Sequence, residues 1–417
     1  MTTTESNLPG PLAGVRVIEL ADRIGQWCGK MMADFGADVI KVEPLGGVAE
    51  RRVGPFYQDV PDPERSLYFW HYNTSKRSIT IDLEQQAGRD LFRTLVDSAD
   101  ILLETMPPGR LPSMGLGYEV LSATNPGLIM TSLTPFGQTG PWRDYKTTDL
   151  LHLSAGGQMA GSGYDAIDDP EQQPIAPGGG NGWHMGSHYA YIGTLGALLS
   201  RNVTGVGQYL DVSVHEACAL TTEMHVPMYI YTGNVVQRQT GRHAGSRPTP
   251  PTQMPTGDGR YVNGGLGMNA GRMKPLVAWM DSLGGAGDLT DPKYTDPATV
   301  MAEGAHISEQ IRTLVGRITA DEAFHGGQQA GMPWGAVRST DDLPADEHFR
   351  ARGFFPDVEH PEVGRSFAYP GAAAIYPKSP WRIYRRAPLI GEDTQAVLDE
   401  IGVDASAFAA LRAAGVV

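Results

Sequence analysis

The strongest constraint in this sequence is the stretch 15–42. Residues 15–20 (VRVIEL) read as a β-strand, and residues 25–36 place Met31, Met32 and Phe35 at one-face helical spacing. Residues 38–42 (DVIKV) read as a second strand. Two parallel strands cannot be joined by a tight turn, so a strand, a helix and a strand in succession fit a parallel crossover.

The pattern continues with a strand at 78–83, an amphipathic helix at 86–98, and strands at 101–104 and 128–132 with a helical turn at 118–124 between them. This alternation predicts a parallel α/β sheet. A long apolar stretch at 183–199 reads as a buried helix, followed by a strand at 209–214 and a helix at 215–231. The texture changes at 232–330, with a short strand near 260–264 and helices near 272–283 and 305–329. That segment is expected to form a second, smaller domain. From 331 the chain reads as an α/β return ending in a helix at 392–402. The expected organisation is a large domain over 1–231, a small domain over 232–330, and a return to the large domain over 331–417. Residues 1–13 read as a flexible lead-in, and 44–66 and 135–182 as loops.

Composition excludes several classes of function. The net charge of −14 and the lack of a Lys/Arg run argue against a nucleic-acid partner. Two cysteines, Cys28 and Cys218, do not make a disulfide framework and fit a reducing compartment. No run approaches the roughly 20 apolar residues of a membrane span, and the first residues do not read as a signal peptide. A cytoplasmic protein without membrane attachment is expected. The sequence contains no GxxxxGK[ST], HExxH or CxxC motif, and no metal is expected.

Several residues carry two readings. Lys76 stands before a strand, Arg110 directly after a strand end, and Lys146 in a loop before an apolar helix. Ligands of open α/β sheets bind beyond the carboxyl ends of strands, which is where Arg110 falls. The other reading of all three is a solvated surface cation. Asp149, at the head of Leu150-Leu151-His152-Leu153, is a helix cap or a carboxylate in a site. His184 is a structural donor or a functional imidazole. The run Gly178-Gly179-Gly180-Asn181-Gly182 is an anion-binding nest or a turn. Tyr68, Trp70, Trp183 and Tyr189 suit either a bulky acid ligand or the core.

Eight segments, in order, resemble the family III CoA-transferases, which include formyl-CoA and carnitine CoA-transferases and α-methylacyl-CoA racemases. They are LAGVRVIEL with MMADFGADVIKVEPLGG (12–47), SLYFWHYNTSKRSITIDL (66–83), DILLETMPPGRLPSMGLGYEVL (100–121), PGLIMTSLTPFGQTGPWRDYKTTDL (126–150), TGVGQYLDVSVHEA (204–217), GMPWGAV (331–337), RARGFF (350–355) and APLIGEDT (387–394). The resemblance implies a large discontinuous domain with a Rossmann-like parallel sheet, a small α+β domain, and two chains interlocked as a dimer. It implies coenzyme A as a substrate. By position, Arg23, Ile24 and Gly25 of the loop 21–26, together with Lys76, Thr105, Met106, Arg110 and Lys146, correspond to its site.

The family's chemistry is nucleophilic. An aspartate attacks the donor thioester to give a mixed anhydride, and CoA thiolate converts that to an aspartyl-CoA thioester. The acceptor acid then takes the CoA through a second anhydride. That aspartate usually follows a glycine just before the long helix. Here Trp183 falls at its position, and residues 172–210 contain neither Asp nor Glu. Asp149 and His184 are the remaining catalytic candidates. Three functions follow: the nucleophile-lacking subunit of a transferase built from two homologous chains, as in the benzylsuccinate enzyme; a homodimeric transferase using another carboxylate such as Asp149; or a non-catalytic acyl-CoA-binding scaffold.

Overall fold

In the computed structural model, which describes residues 8–165, 171–265 and 270–417, six strands form one parallel sheet. They are β1 (Arg16–Leu20), β2 (Asp38–Glu43), β3 (Arg77–Thr80), β4 (Ile101–Glu104), β5 (Ile129–Thr134) and β6 (Tyr209–Ser213). Their order is β3-β2-β1-β4-β5-β6. The helices between and around them are α1 (Gln26–Asp34), α2 (Leu67–Tyr72), α3 (Gln86–Asp97), α4 (Arg110–Ser113), α5 (Tyr118–Thr124), α6 (Asp149–Ala155), α7 (Asn181–Thr204) and α8 (Val214–Leu220).

Both faces of the sheet are covered, which is why its central strands read as largely apolar runs rather than as alternation. On one face Val17, Leu103 and Ile129 pack with Cys28 and Met32 of α1 and with Ala190 and Ala197 of α7. On the other, Ile18, Ile40 and Leu102 pack with Phe92 and Leu95 of α3 and with Val397 and Leu398 from the end of the chain. The helix Thr394–Glu400 is anchored there by Asp393, whose carboxylate accepts the Ser78 N–H at 2.9 Å.

The chain divides into two compact units. One comprises 1–158, 177–222 and 347–417; the other comprises 159–176 and 223–346. The second unit thus includes 159–176, 223–231 and 331–346 in addition to the expected 232–330. Its small antiparallel sheet joins β7 (Gln253–Pro255), β8 (Tyr261–Asn263) and β9 (Gly335–Ala336). Its core gathers Met254, Val262, Leu276, Ile307, Ile311 and Trp334.

Several local expectations change. The helix expected over 215–231 is two helices, α8 and His225–Thr232, because Glu223 takes a left-handed conformation (φ 55°) between them. The helix expected over 305–329 breaks after Val315, and Thr319 starts a new helix through a capping box with Glu322. A last helix, Ala405–Ala413, follows the expected terminal one. Of the lead-in, residues 1–7 lie outside the described residues, but Leu12 is buried and its N–H donates to the Phe35 carbonyl at 2.9 Å. Residues 166–170 of the expected loop 135–182 also lie outside the described residues.

Candidate active site

The order of the sheet locates the first part of the site. Strand β1 pairs with β2 on one side and β4 on the other, so the direction of winding reverses between β1 and β4. In an open parallel sheet that reversal opens a crevice beyond the strand ends. The loops leaving β1 and β4 meet there. The Thr105 hydroxyl accepts the Asp22 N–H and donates to the Asp22 carboxylate, each at 2.9 Å. Gly25 permits this closeness, since a Cβ there would lie 2.7 Å from the Thr105 methyl. The Ile24 carbonyl accepts the Ser187 hydroxyl of α7 at 2.8 Å. Arg23 is exposed, 3.7 Å from Glu50, and Met106 is half-buried beside Thr105. The structure therefore brings Arg23, Ile24, Gly25, Thr105 and Met106 together.

The expected cations behave differently from one another. Lys146 is exposed in the loop before α6. Arg110 opens α4 from the β4 loop and pairs with Glu84. Lys76 is fully buried, and its ammonium is held by Glu19 at 2.7 Å, the Gln26 carbonyl at 3.0 Å and Asn73 at 3.0 Å. An ammonium has three donors, and all are taken. Burial pushes its pKa down to about 8, against the pull of Glu19. Lys76 thus lies buried beneath the loop after β1, joined to it through the Gln26 carbonyl.

The second part of the site is the start of α7. Asp149 is the first residue of α6, but Thr148 caps that helix, its hydroxyl accepting the Leu151 N–H. Asp149 instead reaches the N-terminus of α7, where its Oδ1 accepts the N–H groups of Gly182 (2.8 Å) and Trp183 (3.3 Å). A carboxylate is favoured there by the free amides and the helix dipole. Gly182 makes the approach possible, because an added Cβ would lie 2.9 Å from that oxygen. The glycine run is the entry turn of α7, with Gly179 and Gly180 at positive φ.

Trp183 points into the core, its ring edge-on to the buried His152 at 5.3 Å. His184 lies on the half-buried side. Its Nε2 is 2.8 Å from the Tyr72 hydroxyl, and its ring stacks on Trp27 at 5.0 Å. Trp27 also stacks on His71. Burial lowers the pKa of His184, with His188 adding to the shift and Asp149 opposing it. Burial takes His71 down to about 4. Burial also raises the Tyr72 pKa, and Asp149 raises it further. Asp149 thus acts on both His184 and Tyr72 across this cluster. Among the described residues no group of three or more His, Cys, Asp or Glu is placed to hold a metal ion.

The sequence matches the family model for CoA-transferase family III over residues 12–394. The chain belongs to CoA-transferase family III. This family III enzyme is 34% identical over 395 residues to the succinyl-CoA:(R)-benzylsuccinate CoA-transferase subunit BbsE of Thauera aromatica, covering 94% of each chain. It is 31% identical to the succinyl-CoA–L-malate CoA-transferase beta subunit of Chloroflexus aurantiacus, again over 94% of each chain. Among solved structures it resembles a CAIB/BAIF family protein from Brucella suis, with a TM-score of 0.80, 28% identity, and coverage of 94% of this chain and 100% of that one.

The protein is a CoA-transferase, an enzyme class whose substrates are CoA thioesters. Two of the aromatics considered for an acid ligand prove to be core: Trp70 packs on His360 and Phe367, and Trp183 packs as described. Sequence reasoning missed Trp27, His71 and Tyr72, which pack around His184.

Proposed function

We propose that this CoA-transferase works as the nucleophile-lacking subunit of an enzyme built from two homologous chains. The observation that carries the reading is the start of α7. Trp183 turns an indole into the core there, residues 172–210 hold no carboxylate, and the carboxylate that does reach the helix, Asp149, has one oxygen bound by two backbone amides. An anion stabilised in this way is a weaker nucleophile than a free one. That the relatives BbsE and the L-malate enzyme's beta chain are named as subunits supports the same reading.

In this scheme CoA lies over the joined β1 and β4 loops, with Arg23, Arg110 and Lys146 as its cationic neighbours. The partner's aspartate attacks the acyl carbonyl, the C–S bond breaks, and CoA leaves as thiolate. The thiolate then attacks the aspartyl carbonyl of the anhydride and releases the donor acid. The acceptor carboxylate repeats the sequence in reverse and regenerates the partner's aspartate. His184 and Tyr72 are neutral hydrogen-bonding groups suited to a developing oxyanion beside that reaction. The chains are interlocked, and the protein acts in the cytoplasm.

The test is acyl trapping. The chain is incubated with succinyl-CoA, alone and with a homologous chain that carries Gly-Asp at the 182–183 position, and then treated with hydroxylamine. A hydroxamate on the partner's aspartate, with transfer only in the mixture, is expected. A hydroxamate at Asp149 of the isolated chain overturns the paired reading in favour of a self-sufficient enzyme. CoA binding with no transfer in any mixture overturns it in favour of a scaffold.

A further inference from the structure

The loop after β1 is held from below at both ends. Glu19 is fully buried between two lysines. Lys41 binds its carboxylate at 2.8 Å and the Ala21 carbonyl, at the start of the loop, at 2.7 Å. Lys76 binds the carboxylate at 2.7 Å and the Gln26 carbonyl, at the end of the loop, at 3.0 Å. Lys76 also reaches a second element, through the side-chain carbonyl of Asn73 at 3.0 Å. Asn73 is fully buried at the end of α2, and its amide donates to the Phe69 carbonyl at 3.0 Å.

These two partners of Lys76 flank the two side chains that hold His184. Gln26 precedes Trp27, whose ring stacks on His184 at 5.0 Å. Asn73 follows Tyr72, whose hydroxyl is 2.8 Å from His184 Nε2. Gln26 and Asn73 stand 47 positions apart in the chain, and one ammonium joins them. Away from water such charge-assisted bonds are strong and directional. We propose that Lys76 is a positioning residue for the transfer reaction: it ties the start of α1 to the end of α2 and so sets Trp27 and Tyr72 against His184. This role rests on the reading of His184 and Tyr72 as donors to a developing oxyanion. A group that acts only through them changes the rate of the bound complex and leaves binding alone.

Two readouts test it. The first is the titration of His184 in the isolated chain, followed by NMR of 13C-labelled histidine and assigned by the signal missing from His184→Gln. Burial and His188 lower its midpoint, Asp149 raises it, and His71 and Tyr72 face it from α2. Lys76→Met and Asn73→Ala should each raise that midpoint by about 0.5 pH or more, as the ring gains water. Lys41→Met removes the other lysine of Glu19 and should leave it within about 0.2 pH of wild type. The second readout is transfer from succinyl-CoA in the mixture with the Gly-Asp-bearing chain. Lys76→Met and Asn73→Ala should each lose about tenfold or more in kcat, with KM for succinyl-CoA held within about threefold. Asn73→Ala leaves Lys76 its bonds to Glu19 and Gln26, so it decides the matter where Lys76→Met does not fold. A moved His184 titration in a chain that gives no transfer in any mixture supports the placement by Lys76 and defeats the paired reading. An unmoved titration, an equal rise in Lys41→Met, or a raised KM with kcat retained overturns the proposal, the last by placing Lys76 on the ligand.

Discussion

The two halves of the sheet treat buried charge in opposite ways. Under β1, β2 and β3, Glu19 is completely buried and shared by Lys41 (2.8 Å) and Lys76 (2.7 Å), and Glu43 is gripped by Arg51 through both oxygens at 2.7 Å. Gly29 leaves the space Glu19 needs, since a Cβ there would lie 1.7 Å from its carboxylate. At the end of β4, Glu104 is almost as buried but has the carboxylates Asp22 and Asp211 as neighbours instead of a cation. A buried charge with its partners in place builds structure. A buried acid that lacks a counter-charge has its pKa raised instead.

The largest effect should come from breaking the satisfied half. Glu19→Gln keeps the shape but leaves Lys41 and Lys76 buried without their anion, which is expected to cost about 3–5 kcal/mol in urea unfolding. A loss below about 1 kcal/mol would erase the contrast between the halves.

A smaller effect should come from the unsatisfied half, with a set sign in pH. Glu104 is raised from 4.5 to about 7. Between those values the unfolded chain has released a proton that the folded chain still holds, so stability falls as pH rises through that window. At most about 3 kcal/mol is involved. Glu104→Gln should flatten the dependence of urea midpoint on pH between about 4.5 and 7. A variant that titrates as steeply as wild type there would move the effect to another group.

The smallest effect sharpens the place of Asp149. Asp149→Ala removes the acceptor at the start of α7 and should cost about 1 kcal/mol, with Asp149→Asn losing less because an acceptor remains. A loss of several kcal/mol from the Asn variant would show that its charge, rather than its capping bond, holds the region.

Much of the fold was legible. The strands at 15–20, 38–42, 101–104 and 209–214 and the helices at 86–98 and 118–124 fall within a residue or two of the observed elements, because burial on both faces writes a largely apolar run into the central strands, while the edge strand at 209–213 alternates. The break at Glu223 was not legible, since neither Gly nor Pro marks it; the one after Val315 was written in Gly316 and in the Thr319–Glu322 capping pattern, which the reading passed over. Of the candidate site, the meeting of loops 21–26 and 105–106 was reached by resemblance. The turn of Trp183 into the core and of Tyr72 toward His184 was not.

The sequence by itself determined the family, the alternation that makes a parallel sheet, and the absence of Asp and Glu from 172–210, because each is a matter of residue type and spacing along the chain. Only the tertiary structure decided which charges are satisfied. Glu19 and Lys76 stand 57 positions apart and Asp149 and Gly182 stand 33 apart. No local pattern distinguishes a lysine destined for a buried carboxylate from one left in solvent, because the energy that separates them arises only when distant strands and helices exclude water around the pair.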